Sequence, residues 1–325
     1  MFTSGSSDSS HPADSMPQHA LFAALRSQGT LSAAVSTRGI GVHSGEPVML
    51  VLRPAPVDHG IVFQRTDIDP AVGRVRAHWD QVTDTRLCTV IANDHGTSVA
   101  TIEHLLAALR ACGIDNAMVE LDGPEVPILD GSAAQWVALI DRVGVVAQPA
   151  RRREIVVERA LRIDDGERWA MLLPAPVPRF TVNIDFADAV VGQQRYDVVL
   201  DEARFREEIA AARTFGFMRD IRALQATGRT LGGSLDNAVV IDDGRVLNPG
   251  GLRFPDEFVR HKLLDCVGDL YLAGGPIIGH LIASRPGHAL NAMLVRALHA
   301  SPAAWRWSTE APRLAPKADA ATLAA

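Results

Sequence analysis

Apolar and polar positions along this chain follow two kinds of pattern, and the same order of patterns occurs twice. Short segments that are β-branched or alternate between apolar and polar residues begin at Thr30 and again at Ile155, with glycine and proline between them. Segments with the periodicity of amphipathic helices follow each set. Strands first and helices later predict an α+β fold with two domains of similar topology, each a β-sheet with helices.

The first half is predicted to contain strands at 31–36, 48–52, 61–64, 86–91 and 116–121, and helices at 99–112 and 133–143. Thr97 and Ser98 are the expected N-terminal cap of its first helix, and Gly113 is the expected end. The second half is predicted to contain strands at 155–163, 169–173, 180–186, 196–200 and 277–284, a β-rich segment at 238–246, and helices at 202–212, 218–226, 254–271 and 289–300.

The predicted domain limits come from composition. Residues 1–29 are rich in serine, glycine, proline and histidine and predict a disordered extension with a short helix near 21–25. A proline followed by three arginines makes 148–153 a candidate linker. We therefore predict a first domain at 30–149, a second at 150–307, and a flexible tail at 308–325.

The helix predicted at 254–271 has two different faces. Its apolar residues fall in one arc, which contains Leu263, Leu264, Val267, Leu270 and Tyr271. His261, Asp265 and Asp269 recur every four residues on the other side. A histidine and a carboxylate one turn apart can bind a single metal ion, because both side chains project from the same face. The alternative is an ordinary solvated polar face.

Composition and charge narrow the class of protein. With 325 residues, 47% of them hydrophobic, the chain can bury a large core. A net charge of −6 argues against a general role in binding nucleic acid or a membrane surface. Three scattered cysteines predict no disulfide framework and favour a cytoplasmic location. No apolar run approaches the roughly 20 residues of a membrane span.

Three further segments contain residues suited to catalysis. Glu103 and His104 lie together on a predicted helix, and a carboxylate near a metal-bound water can take its proton. His288 follows Gly287 at a predicted helix start, and Thr214 lies in a loop between helices. Taken singly, each has an ordinary explanation: a surface pair, a structural histidine and a helix cap.

Taken together, these segments resemble a known family, the UDP-3-O-acyl-N-acetylglucosamine deacetylases, which are zinc enzymes of lipid A synthesis in Gram-negative bacteria. The resemblance runs in order from about Thr30 to Trp307. It rests on E-H-L-L-A-A-L, P-E-V-P-I-L-D-G-S-A, A-R-T-F-G-F-M-R-D, L-G-G-S-L-D-N, L-R-F-P-D-E-F-V-R-H-K-L-L-D-C-V-G-D-L and P-G-H-A-L-N.

The resemblance implies a fold in which the helices of two similar domains are sandwiched between two outer sheets. It also implies roles for individual residues. One Zn²⁺ per chain, with Fe²⁺ as the alternative, would be held by His104, His261 and Asp265. Glu103 would be the general base, His288 a histidine kept charged by Asp269, and Thr214 the donor to the oxyanion. The implied substrate contacts are Lys262 towards the diphosphate, and Phe215, His43 and Phe186.

The sequence departs from the family pattern at two places. Arg168 stands in D-G-E-R-W, where the family has an active-site lysine, so its contact with substrate is an expectation from charge alone. The segment after Phe186 reads A-D-A-V-V in place of the usual His-Pro. Ile184 and residues 189–191 fall where the family has its acyl passage. Cys88, in R-L-C-T, matches a cysteine near the family's site and receives no catalytic role.

Three functions compete at this stage. The first is a zinc amidase that removes the N-acetyl group from UDP-3-O-acyl-N-acetylglucosamine, the committed step of lipid A biosynthesis. The second is a non-haem iron oxygenase, since two histidines and one carboxylate also form a facial triad. The third is an inactive binding protein. The expected partners are the UDP-sugar substrate, a transient contact with the inner membrane, and a regulatory protease that reads residues 318–325, for which a plain tail is the alternative.

Overall fold

The computed structural model of the protein describes residues 27–311. The predicted helix at 21–25, most of the predicted disordered extension and the proposed degradation signal at 318–325 lie outside the described residues. Two predicted limits differ from the structure. The first strand begins at Ser27, inside the predicted extension. At the other end, the Ser308 N–H donates to the Glu154 carbonyl at 2.8 Å, so the predicted tail begins too early.

The first half contains ten strands and two α-helices between residues 27 and 151. The strands are β1 (Ser27–Leu31), β2 (Val35–Ile40), β3 (Pro47–Pro54), β4 (Ile61–Arg65), β5 (Arg74–Arg76), β6 (Val82–Asp84), β7 (Val90–Ala92), β8 (Ser98–Val99), β9 (Ala117–Leu121) and β10 (Val145–Arg151). The helices are α1 (Glu103–Ala111) and α2 (Ala134–Val143), and Trp79–Gln81 form a 3-10 turn.

The second half contains eleven strands and four α-helices up to residue 311. The strands are β11 (Ile155–Val157), β12 (Leu161–Asp165), β13 (Arg168–Leu173), β14 (Arg179–Asp185), β15 (Gln193–Val199), β16 (Phe215–Phe217), β17 (Val239–Asp242), β18 (Arg245–Val246), β19 (Ile277–Ile278), β20 (His280–Ser284) and β21 (Trp305–Trp307). The helices are α3 (Glu202–Arg204), which continues as a π-helical turn at Phe205–Ile209, α4 (Met218–Ala226), α5 (Glu257–Tyr271) and α6 (His288–Ala300).

Each half contains a five-stranded sheet, and the two sheets share one topology. Their strand orders are β2-β3-β9-β4-β5 and β12-β13-β20-β14-β15. In both, successive neighbours run antiparallel, antiparallel, parallel and antiparallel. In each sheet the central strand, β9 or β20, comes last in the sequence and follows a helix. The predicted α+β class is therefore confirmed, and the similarity lies in strand order.

The predicted linker at 148–153 is wrong for its first part. Strand β10 runs through it and pairs antiparallel with β1, with Ser27 opposite Arg151 and Leu31 opposite Val145. The segment therefore ties the start of the first half to its end. Three further sheets of three strands complete the described β-structure.

Helices α1 and α5 occupy equivalent places, each preceding the central strand of its own sheet, and they pack against each other. Gly268 permits this crossing. A Cβ atom at Gly268 would lie 2.0 Å from the Glu103 carbonyl oxygen, so only glycine fits without moving a helix. Side chains from both sheets and both helices form one continuous apolar cluster around the crossing.

The polar face of α5 is buried. His261 is 2% exposed, and Asp265 and Asp269 are each 3% exposed. The alternative of a solvated face is therefore wrong, and charged groups placed there need partners or a ligand. No helix between residues 27 and 311 combines the length and apolar character that crossing a membrane would require.

Candidate metal centre and catalytic cavity

Helix α1 begins later than predicted, and the later start places Glu103 and His104 in its first turn. Thr97 and Ser98 do not cap it, because Ser98–Val99 pair with β7 as strand β8. Thr101 then has a φ of 59°, a left-handed conformation that a β-branched residue rarely adopts. Its hydroxyl donates to the buried Glu125 carboxylate at 2.8 Å, which holds this turn in place.

The three predicted metal ligands converge. Single donor atoms of His104, His261 and Asp265 all lie within 4.8 Å of one another, and all three residues are buried. Asp265 Oδ1 is 3.5 Å from His104 Nε2 and 3.3 Å from His261 Nε2. The two imidazole rings are nearly perpendicular, with centroids 4.9 Å apart.

The residues present fit a divalent metal ion. Among the described residues, Asp265 Oδ1 is a buried oxygen with no hydrogen-bond partner, as expected of an atom reserved for a metal. His261 Nδ1 donates to the Ala212 carbonyl at 3.0 Å, which leaves Nε2 free as a ligand. Two imidazoles and one carboxylate with an open position form a catalytic zinc donor set, and Fe²⁺ uses the same donors.

Lys262 lies beside this cluster. Its ammonium group donates to Asp265 Oδ2 at 3.2 Å and lies 5.8 Å from the centre of the Phe215 ring. Burial opposes the charge of Lys262, but Asp265 outweighs it and raises the pKa of the lysine. Burial likewise lowers the pKa of His261 to about 4, which favours the neutral imidazole that a metal requires.

A second cluster of titratable groups lies next to the first. His288 Nδ1 donates to Asp269 Oδ2 at 2.9 Å, and His288 Nε2 is 3.7 Å from Glu103 Oε1. Burial raises the pKa of Glu103, although His288 and His104 oppose the rise. Burial would lower the pKa of His288, but Asp269 and Glu103 outweigh it and raise that pKa to about 9. A buried carboxylate whose pKa is raised and a histidine whose pKa is also raised therefore face each other in this cluster.

Thr214 reaches the same space from the start of β16. Its N–H donates to the Gly131 carbonyl at 2.8 Å, and its carbonyl accepts from the Val239 N–H at 2.7 Å. The neighbouring Arg213 is anchored by a bond of 2.9 Å from its Nε to Glu257 Oε1, a carboxylate that is fully buried. The Thr214 backbone is therefore fixed on both sides.

One cavity of about 560 Å³ joins these groups. Ten of the twelve predicted site residues line it: His43, Glu103, His104, Phe186, Thr214, Phe215, His261, Lys262, Asp265 and His288. Asp269 lies behind His288. Arg168 is not among the lining residues; it pairs with Asp165 on an exposed hairpin, and its direct contact with a substrate stays a prediction.

The apolar wall of the cavity differs from the expectation. Ile184 and Val191 are each 3% exposed and belong to the core, and neither is among the lining residues. Helix α4 supplies the wall in their place, through Met218, Ile221 and Leu224. None of the residues 184 and 189–191 lines this cavity, and an acyl passage along 189–191 stays a prediction.

Sequence reasoning missed three polar residues that support the site. Thr89 contacts both Asp269 and Glu103, and Asn291 Nδ2 donates to Asp269 Oδ2 at 2.8 Å. Glu125 accepts bonds of 2.9 Å from the backbone N–H groups of both His43 and Ser44. The signal for Asn291 was its place three residues after His288 on one helix face. No local pattern identifies Thr89.

Comparison with known proteins identifies the family to which this chain is similar. The profile of the family described as UDP-3-O-acyl N-acetylglycosamine deacetylase matches residues 28–300. The chain is 49% identical over 280 residues to the UDP-3-O-acyl-N-acetylglucosamine deacetylase of Shewanella woodyi, covering 86% of this chain and 92% of that protein. The proteins of the same name from Shewanella loihica and Shewanella baltica are also 49% identical, with 86% of this chain and 91% of each relative covered.

Proposed function

The chain belongs to the UDP-3-O-acyl N-acetylglycosamine deacetylase family, and from this premise we propose that it hydrolyses the N-acetyl amide of UDP-3-O-acyl-N-acetylglucosamine. The products are UDP-3-O-acyl-glucosamine and acetate, in lipid A biosynthesis. The observation that supports this most is the placement of Glu103 between a three-ligand metal centre and a charged histidine in one cavity.

We assign the metal to His104, His261 and Asp265 and propose Zn²⁺ as the ion. When bound, Zn²⁺ polarises a carbonyl and lowers the pKa of a water molecule. Glu103 accepts the proton of the attacking water through Oε1, because its other oxygen, Oε2, already accepts the Thr89 N–H at 3.1 Å. Family membership favours this chemistry over the iron oxygenase alternative. The presence of Glu103 and all three ligands argues against an inactive binding protein.

The remaining two groups act on the tetrahedral intermediate. The Thr214 hydroxyl, on a backbone held by Gly131 and Val239, donates to the oxyanion. His288 is protonated below a pKa of about 9, so at neutral pH it can give a proton to the departing amine. Asp269 keeps the imidazole charged and oriented from the opposite side.

Different parts of the cavity wall suit the diphosphate end and the acyl end of the substrate. Lys262 provides a positive charge for the diphosphate, and the centre of the Phe215 ring lies 5.8 Å from its ammonium group. His43 and Phe186 line the same cavity. We propose that the acyl chain lies along α4, whose Met218, Ile221 and Leu224 form an apolar surface in the same cavity.

The finer architecture and partners are part of the proposal. Two domains, divided near residue 150, would hold their helices between the two five-stranded sheets, and the topology shared by those sheets supports this arrangement. A brief contact with the inner membrane would deliver the acylated substrate. Proteolysis at the C-terminal end would set the amount of enzyme.

Acetate release from purified substrate by the zinc-loaded enzyme tests the function directly. We expect Glu103→Gln to lower kcat roughly 10²–10⁴-fold, the range for a lost general base, with zinc content unchanged. Glu120→Gln is a matched control, because Glu120 lies on the first sheet and pairs with Arg53. A wild-type enzyme that releases no acetate would overturn the proposal, as would full activity in Glu103→Gln.

A further inference from the structure

Thr89 contacts both parts of the acid–base machinery. Its N–H donates to Glu103 Oε2 at 3.1 Å, and its hydroxyl donates to Asp269 Oδ1 at 2.6 Å. The same hydroxyl oxygen is 3.3 Å from His288 Nδ1. Thr89 is 1% exposed, so these bonds lie in the interior of the protein. One residue of the first half therefore contacts a helix of each half and, at longer range, His288.

These contacts determine which oxygen of each carboxylate, Glu103 and Asp269, is left to face His288. With Oε2 of Glu103 occupied by the Thr89 N–H, Oε1 is the oxygen that faces His288 Nε2. With Oδ1 of Asp269 occupied by the Thr89 hydroxyl, Oδ2 is left for His288 Nδ1 and Asn291 Nδ2. A buried carboxylate without such a donor could rotate, and its imidazole partner would rotate with it.

We propose that Thr89 is a positioning residue of the deacetylation reaction, which fixes Asp269 and, through it, the imidazole of His288 relative to Glu103. This inference rests on the proposed function for its effect on rate. Its structural content, the bond from the Thr89 hydroxyl to Asp269, is independent of the substrate. Thr89 does not line the cavity and has no part in the transfer of protons itself.

Two substitutions at Thr89 separate the hydroxyl from the shape of the side chain. Thr89→Val keeps the volume and the backbone N–H but removes the donor to Asp269. Thr89→Ser keeps the donor and removes a methyl group. We expect Thr89→Val to lower kcat roughly 10- to 100-fold, the usual cost of losing an outer partner that orients a functional group. KM and zinc content should stay unchanged, and Thr89→Ser should retain most of kcat.

Thr181 provides a matched control on the second sheet. Its hydroxyl donates to the Asp197 carboxylate and contacts His280 Nε2 at 2.8 Å, and the residue is 1% exposed. Its neighbours are therefore an aspartate and a histidine, as for Thr89, but neither Asp197 nor His280 lines the cavity. We expect Thr181→Val to change stability and to leave kcat as in the wild type.

Proton NMR of the histidine rings gives a readout that does not need substrate. The Nδ1–H resonance of His288, assigned by its loss in His288→Gln, should shift or broaden in Thr89→Val and remain in Thr89→Ser. If Thr89→Val does not fold, Thr89→Ala replaces it with the same expectation.

A double substitution tests whether Thr89 acts through Asp269. In Asp269→Asn, the further loss of the Thr89 hydroxyl should lower kcat much less than in the wild type, since the two residues act through one contact.

Several results would overturn the inference. One is a Thr89→Val enzyme with normal kcat and an unchanged His288 resonance. A second is a Thr89→Ser enzyme as slow as Thr89→Val, since packing would then be the cause, and a third is full additivity with Asp269→Asn. A wild-type protein without deacetylase activity would refute the proposed function alone, because the NMR comparison would still test the contact.

Discussion

Replacement of Gly268 by alanine should disrupt the metal centre more than the fold. The added Cβ would lie 2.0 Å from the Glu103 carbonyl oxygen, where ordinary contact begins at 3.4 Å, so the shortfall is about 1.4 Å. Neither atom belongs to a flexible side chain, so relief requires that α1 and α5 move apart. Their separation carries His104 away from His261 and Asp265.

The expected magnitudes follow from this displacement. Metal–ligand distances tolerate about 0.2 Å, and a misplacement of about 1 Å at a reacting centre costs on the order of 10²-fold in rate. Overpacking lowers the free energy of unfolding by about 1–3 kcal/mol, and the better helix propensity of alanine raises it by about 1 kcal/mol. We therefore expect at least 10²-fold lower activity and weak zinc binding, with a loss of at most about 2 kcal/mol in unfolding free energy.

Zinc content after dialysis, acetate release and denaturant unfolding measure these three effects on one preparation. Gly123→Ala is the control, because its Cβ would meet Val48 at an ordinary 3.5 Å. A Gly268→Ala enzyme that retained one zinc per chain and normal turnover would refute the argument that this glycine sets the distance between the ligands.

Three further predictions concern individual groups. The pH profile of kcat/KM should be bell-shaped: the alkaline limb lies near pH 9, where His288 loses its proton, and the acid limb lies above the usual glutamate range, where Glu103 is protonated. Asp269→Asn should move the alkaline limb to lower pH, and an unmoved limb would contradict the pairing of Asp269 with His288. His261→Ala should remove most bound zinc and activity, so full metal content measured by atomic emission would place the site elsewhere. Lys262→Ala should weaken the binding of UDP-containing ligands in calorimetry with zinc unchanged, whereas equal affinity in both proteins would exclude a diphosphate contact.

The local patterns of the sequence were sufficient to predict elements whose bounds depend on the segment itself. Helix α4 has the predicted bounds, and α6 begins one residue from its predicted start, because apolar spacing is a property of the segment itself. The metal cluster was also reached from sequence, by the four-residue spacing on α5 and by resemblance to a family. Neither required knowledge of the contacts between the halves.

Long-range contacts explain what could not be predicted. Helix α1 starts at Glu103 because the Thr101 hydroxyl bonds to Glu125, 24 residues further along the chain, and because Ser98–Val99 pair with β7 instead of joining the helix. The linker expected near 148–153 is partly a strand because β1 pairs with it. Thr89 is a single threonine before a short strand, and its importance depends on two carboxylates brought to it by other helices.

The equivalent positions of α1 and α5 have a consequence for the energetics of the whole chain. His104 comes from one half, and His261 and Asp265 come from the other, so neither half alone offers the three donors. A metal bound by all three holds the halves together, and it favours their docked arrangement over every separated one. At a free concentration one hundred times its dissociation constant, such a ligand would add about 2.7 kcal/mol to the stability of that arrangement. The ion that serves the chemistry would then also act as a cross-link, and loss of the metal would loosen the interface that forms the cavity.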